Sequence, residues 1–121
     1  MSDYHESWDA LPERSRNIHR ACRSLAEEVD AVDWYDQRVA LTEDAELRAV
    51  LAHNRDEEIE HAAMTLEWLR RHMDGWDEKL RLYLFTDTPL LEIEGQAEEA
   101  ACGDGVEPGG DLGIGSMKGE G

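Results

Sequence analysis

Cysteine is scarce in this chain: Cys22 and Cys102 are the two present, eighty positions apart. They form neither a CxxC pair nor a zinc-finger spacing, so a disulfide framework is excluded and a reducing compartment is expected. Long apolar runs are missing too; none approaches the roughly 20 residues of a membrane span. Met1 to Asp9 is acidic and polar, without the basic and apolar regions of a signal peptide, so a cytoplasmic location is expected. Basic residues are few. The 12 Lys and Arg against 29 Asp and Glu leave a formal charge of −17. A field of that sign repels phosphate, which argues against nucleic acid and membrane as partners, and it attracts cations. No segment sustains an alternation of apolar and polar residues, so no sheet is expected.

What is present suits helices. The 121 residues make one domain, and 40% hydrophobic against 34% charged residues gives a thin core for a chain of that size. Oligomerisation or metal is expected to supply the missing stability. Eight of the ten glycines lie after residue 102. Residues 1–101 are therefore read as a helical domain and residues 102–121 as a flexible, Gly-rich tail.

A first helix is predicted from Trp8 or Leu11 to Arg38. Ile18, Cys22, Leu25, Val29 and Val32 follow one another at spacings of 4, 3, 4 and 3, which is one stripe of a long helix. Cys22 reads as a small core residue of that stripe. Thr42 is a candidate N-cap for a second helix, ahead of the acids Glu43, Asp44 and Glu46. That helix is predicted from Glu43 to Met73, with the stripe Leu47, Leu51, Asn54, Glu58, His61, Thr65 and Trp68. Trp68 reads as core, and Gly75 as the stop. A shorter amphipathic piece follows at Trp76 to Phe85. Residues 90–101 read as a further weak helix or as disorder. A short loop between two long helices implies an antiparallel hairpin. One hairpin leaves its apolar face uncovered, whereas two packed together make a four-helix bundle.

The middle of the second stripe is polar where burial is expected. Glu58 and His61, three residues apart, project from one helical face. A carboxylate and an imidazole buried together need a compensating partner, and a metal ion is one. Glu28 lies three residues after Leu25 and four before Val32, so it leans toward the same interior. Carboxylate-bridged di-iron bundles use a Glu from each of two helices and a Glu-x-x-His from each of the other two. One copy of this chain holds half of that set, and a two-fold dimer holds all of it. Oxygen ligands with one imidazole per metal favour iron or manganese.

At these residues the chain closely resembles the encapsulated ferritins, ferritin-like proteins carried as cargo inside encapsulin nanocompartments. The resemblance runs through Glu27 to Arg38, Leu51 to Arg71 and Tyr83 to Thr86, and through the tail from Gly110 to Glu120. It implies an all-α protomer, a two-helix hairpin with a short C-terminal helix, dimerising into a ferritin-like four-helix bundle. It further implies a ring-shaped homodecamer built from such dimers. The implied activity is that of a ferroxidase, oxidising Fe(II) with O2 at a di-iron centre shared by two subunits, with two iron ions per dimer interface. Mineral is then stored in the encapsulin shell. Carried over, the iron ligands are Glu28, Glu58 and His61, and Tyr35 and His53 surround the centre.

Glu27, Asp30 and Trp34 match a metal-uptake site on the ring, where Ca2+ or another divalent ion can sit. Asp30 stands where the family has Glu, and its reach is one methylene shorter. Leu112, Gly113, Ile114, Gly115, Ser116 and Met117 match the peptide that docks cargo onto the shell, as an extended segment whose apolar side chains enter pockets. The resemblance thus also implies a location inside the encapsulin compartment.

Two other classes share some of these features. A non-catalytic divalent-metal-binding module would use the same ligands to sequester or deliver iron, and would stop at saturation. A helical dimer held by apolar stripes alone would leave the polar residues of the second stripe unexplained.

Overall fold

The computed structural model describes residues 4–103. All regular structure among them is helical. After a single 3-10 turn at Trp8–Ala10 come α1 (Glu13–Leu41), α2 (Ala45–His72), α3 (Trp76–Tyr83) and α4 (Leu90–Gly103). The all-α class expected from the sequence is the class observed. The chain divides into two compact units, Met1–Met73 and Asp74–Gly121.

The first unit is the helical hairpin. Pro12, with φ −67° and ψ 159°, stands just before α1, where a fixed φ and a missing N–H do no harm. The helix runs 29 residues, about 43 Å at 1.5 Å per residue. It ends at Thr42, whose N–H and hydroxyl both donate to the Arg38 carbonyl, at 2.9 and 2.6 Å. Asp44 then caps α2 by accepting from the Leu47 N–H at 2.8 Å. Thr42 is therefore the C-cap of α1, and not the N-cap expected for α2. Both residue types suit an N-cap, but here the hydroxyl is engaged by the carbonyl behind it. The 28-residue α2 closes with Arg70, Arg71 and His72 in its last turn, where the helix dipole favours cations.

Two ties define the hairpin's register. Arg14 near the start of α1 donates to the His72 carbonyl at the end of α2, at 3.1 Å. Further along, Arg55 donates to Asp36 at 2.9 Å. The helices are thus antiparallel. Counting fourteen residues on from Arg14 reaches Glu28, and fourteen back from His72 reaches Glu58. From the other tie, eight residues back from Asp36 is Glu28 and eight on from Arg55 is Ala63. Glu28 therefore stands level with the turn of α2 that carries Glu58 and His61.

Little of the hairpin is sealed from solvent. Among the described residues of this unit Leu69 is the fully buried side chain, while Val29, Trp34, Leu47, Val50, Ile59 and Met64 are about half exposed or more. The predicted stripes occupy an intermediate zone: Ile18, Leu25, Val32, Leu51, Asn54, Thr65 and Trp68 are half-buried. Cys22 is exposed, contrary to the core reading. Trp68 is also short of the core, stacked on His72 with ring centroids 4.0 Å apart.

The second unit holds α3 and α4. Gly75, at φ +100°, caps α3 in a backbone conformation that a Cβ would strain. Phe85 follows α3 at φ +61°, with its ring fully exposed. Pro89 opens α4, its carbonyl accepting from Glu92 and Ile93 at 3.0 and 3.1 Å. Among the described residues of this unit, Ile93 is the buried side chain. Of the two readings left open for residues 90–101, the helix is the one observed.

Candidate metal centre

The middle of α2 places two candidate ligands side by side. Oε1 of Glu58 lies 3.5 Å from Nδ1 of His61, one helical turn on. Both side chains are half-buried. Across the hairpin, Glu28 is half-buried, and its Oε1 is sealed from solvent without a hydrogen-bond partner. A buried, unpartnered carboxylate oxygen is costly, because it loses water and gains nothing in return. A cation removes that penalty. Two carboxylates and one imidazole form an O,O,N donor set, which suits iron. The orphaned oxygen and the donor chemistry thus agree with a cation held on this level of the hairpin.

One chain does not complete the site. Among the described residues, no group of three or more His, Cys, Asp or Glu converges closely enough to hold a metal. Glu28 and the Glu58–His61 pair share a level without forming a closed shell.

The other expected residues on the hairpin lie further along the two helices or on their exposed faces. Tyr35 is half-buried, with the Arg38 guanidinium 5.3 Å from its ring centre. His53 is exposed, its Nε2 3.9 Å from Oε2 of Glu57. Glu27, Asp30 and Trp34 are exposed on α1, and Glu27 stands 3.9 Å from Arg23. Leu112, Gly113, Ile114, Gly115, Ser116 and Met117 lie outside the described residues.

Glu57 received no role from the sequence, yet its other oxygen stands 3.9 Å from Nε2 of His61. The signal was available, because Glu57 is four residues from both His53 and His61. Glu57 falls off the buried line, so the apolar spacing does not mark it.

Nearer the end of α2, Glu67 accepts both arms of the Arg70 fork at 2.8 Å and the Arg71 Nε at 2.7 Å. These hydrogen bonds, Arg70's first, hold its carboxyl down to about 2. A cavity of about 420 Å³ lies there, lined in part by Met64, Glu67, Trp68 and Arg71. None of the three candidate ligands lines it.

The chain is similar to known proteins over most of its length. The profile of the EncFtn-like family matches residues 3–87. An encapsulated ferritin-like protein of Rhodospirillum rubrum is 55% identical over 123 residues, spanning 96% of this chain and 88% of that one. A ferritin-like protein of Thermotoga maritima is 57% identical over 115 residues, spanning 94% of this chain and 97% of its own. The crystal structure of a Nitrosomonas europaea protein matches with a TM-score of 0.71 at 53% identity, covering 73% of this chain and 97% of that one.

Proposed function

This chain belongs to the EncFtn-like family, and from that membership we propose that it is a ferroxidase whose centre is shared by two copies of the chain. The family membership itself carries a ferritin-like, iron-related function. The finer reading rests above all on one observation: the buried, unpartnered Oε1 of Glu28, level with Glu58 and His61.

Fe(II) is the substrate. Glu28 and Glu58 supply oxygen ligands and His61 supplies nitrogen. A second hairpin, related by a two-fold axis, contributes the same three, so four carboxylates and two imidazoles hold a pair of iron ions. The two Fe(II) give one electron each to O2, which takes up two protons and leaves as hydrogen peroxide, and the iron leaves as Fe(III). Carboxylates stabilise the higher charge of the product more than that of the substrate, which favours oxidation. The half-covered helices around the site are covered by the second hairpin, and water is thereby thinned around the pair. By the resemblance to the encapsulated ferritins, Tyr35 and His53 border the centre once two hairpins meet. Glu27 and Asp30, exposed on α1 near Trp34, attract Fe(II) or Ca2+ toward it.

The dimer also answers the packing of the hairpin. Apolar side chains such as Val29, Leu47 and Ile59 are half exposed in one copy, and burial stabilises by about 25 cal/mol per Å². Dimers assemble into a ring-shaped decamer in this reading. The name of the Rhodospirillum rubrum relative describes it as encapsulated. By that likeness the tail from Leu112 to Met117 docks the present protein onto an encapsulin shell, which receives and stores the Fe(III).

Aerobic Fe(II) oxidation, followed by absorbance at rising iron-to-protein ratios, tests the activity. Wild type is expected to oxidise iron well past its binding capacity. Glu28→Ala, Glu58→Ala and His61→Ala are each expected to lose that rate. A wild type no faster than the protein-free control contradicts the reading, and oxidation that stops at saturation favours a metal-binding module instead.

A further inference from the structure

Glu57 faces both imidazoles of the middle of α2. Its Oε1 stands 3.9 Å from Nε2 of His61, and its Oε2 stands 3.9 Å from Nε2 of His53. Residues 53, 57 and 61 are successive i, i+4 neighbours, so one helix surface carries all three. His61 consequently lies between two carboxylates and shows each a different nitrogen. Nδ1 faces Glu58 at 3.5 Å, and Nε2 faces Glu57.

A neutral imidazole has one N–H and one lone pair, and only the lone pair binds a metal. A proton on Nδ1 would close the side of the ring that faces Glu58. We propose that Glu57 is a positioning residue for His61: its carboxylate accepts the Nε2 proton and leaves the Nδ1 lone pair turned toward Glu58. A carboxylate behind a metal-bound imidazole both fixes the tautomer and strengthens the ligand. The 3.9 Å gap is longer than a hydrogen bond, and rotation of the half-exposed Glu57 side chain closes it. His53 stands 3.9 Å from the second oxygen, so the carboxylate lies between the two rings. The inference rests on the assignment of His61 as an iron ligand, and deepens it.

The tautomer is readable without iron. Long-range proton–nitrogen NMR spectra of the full-length, labelled protein, at a pH where imidazoles are neutral, report which His61 nitrogen is protonated. Wild type is expected to hold part of His61 protonated at Nε2, against the Nδ1-protonated form that Glu58 draws from 3.5 Å away. Glu57→Ala is expected to shift His61 toward the Nδ1-protonated form, and Glu57→Gln, whose amide oxygen still accepts, to restore the wild-type balance. An unchanged His61 in Glu57→Ala would overturn the proposal.

Anaerobic Co(II) titration gives a second readout. Glu57→Ala is expected to weaken the His61-dependent Co(II) band by about tenfold or more, the usual effect of removing such a partner. Glu57→Gln should recover most of the affinity. Glu60→Ala removes the same charge one turn further along and should leave binding unchanged. Equal losses in Glu57→Ala and Glu60→Ala would reduce the effect to general charge and overturn the proposal. A wild type with no His61-dependent band removes the ligand assignment and this inference together. A normal wild-type band that ignores Glu57 removes this inference alone.

Discussion

Glu58 and His61 meet across one turn of α2, Oε1 to Nδ1 at 3.5 Å, on the level where Glu28 of α1 buries an unpartnered oxygen. The pair alone is a common helical contact. Its meaning comes from Glu28, because a carboxylate oxygen without water or donor destabilises the fold that holds it. The hairpin keeps an acid with one unsatisfied oxygen at the point where a cation would satisfy it.

Replacing that acid should separate stability from function. An unsatisfied buried acceptor costs about 1–3 kcal/mol. Glu28→Leu, similar in volume and apolar, is expected to stabilise the protein without added metal by about 1 kcal/mol. It should also abolish the further rise in melting temperature that Fe(II) or Co(II) gives wild type. Thermal unfolding at one fixed protein concentration, with and without metal, checks both.

The cap of α2 offers the opposite dissociation. Asp44 accepts from the Leu47 N–H, and loss of such a cap costs about 1 kcal/mol. Asp44→Ala should lower stability by about that amount, measured by denaturant unfolding. Its rate of iron oxidation per folded protein should match wild type, since the cap lies far along α2 from Glu58.

Glu67 should titrate far below an ordinary glutamate. The Arg70 and Arg71 hydrogen bonds bring its carboxyl from 4.5 to about 2. Because the folded value is the lower one, the stabilisation is present above the unfolded value near 4.5. It is lost as pH falls from there toward about 2. Carbon NMR of the Glu67 carboxyl against pH should show the low midpoint. Arg70→Ala should move the midpoint up, toward the ordinary value.

Much of this arrangement is legible in the residues themselves. The 4, 3, 4, 3 spacing of Ile18 to Val32 and of Leu47 to Trp68 marks two long helices, because only a 3.6-residue period puts those side chains in line. Glu28, Glu58 and His61 stand out because they are polar on that line or beside it. The cap between the helices is less legible: Thr42 and Asp44 are both good capping residues, and the Thr42 hydroxyl's bond to the Arg38 carbonyl decides between them. Cys22 shows the limit of periodicity, since a stripe position at the edge of a two-helix contact stays open to solvent. Glu57 shows another limit. Its contacts with His53 and His61 run along an exposed surface that no hydrophobic pattern marks. The helix at Leu90–Gly103 was ambiguous because Gly95 and four glutamates dilute its apolar face.

The central claim is that two copies of the chain complete one centre. Native mass spectrometry under anaerobic conditions, with Fe(II) added stepwise, tests it most directly by resolving iron content and subunit number in the same particle. The expected result is iron bound in pairs, on dimers and larger assemblies, with metal-free monomers. In Glu28→Ala, Glu58→Ala and His61→Ala the paired iron should be absent. Monomers that carry iron, or dimers filled one ion at a time at random, would contradict the account.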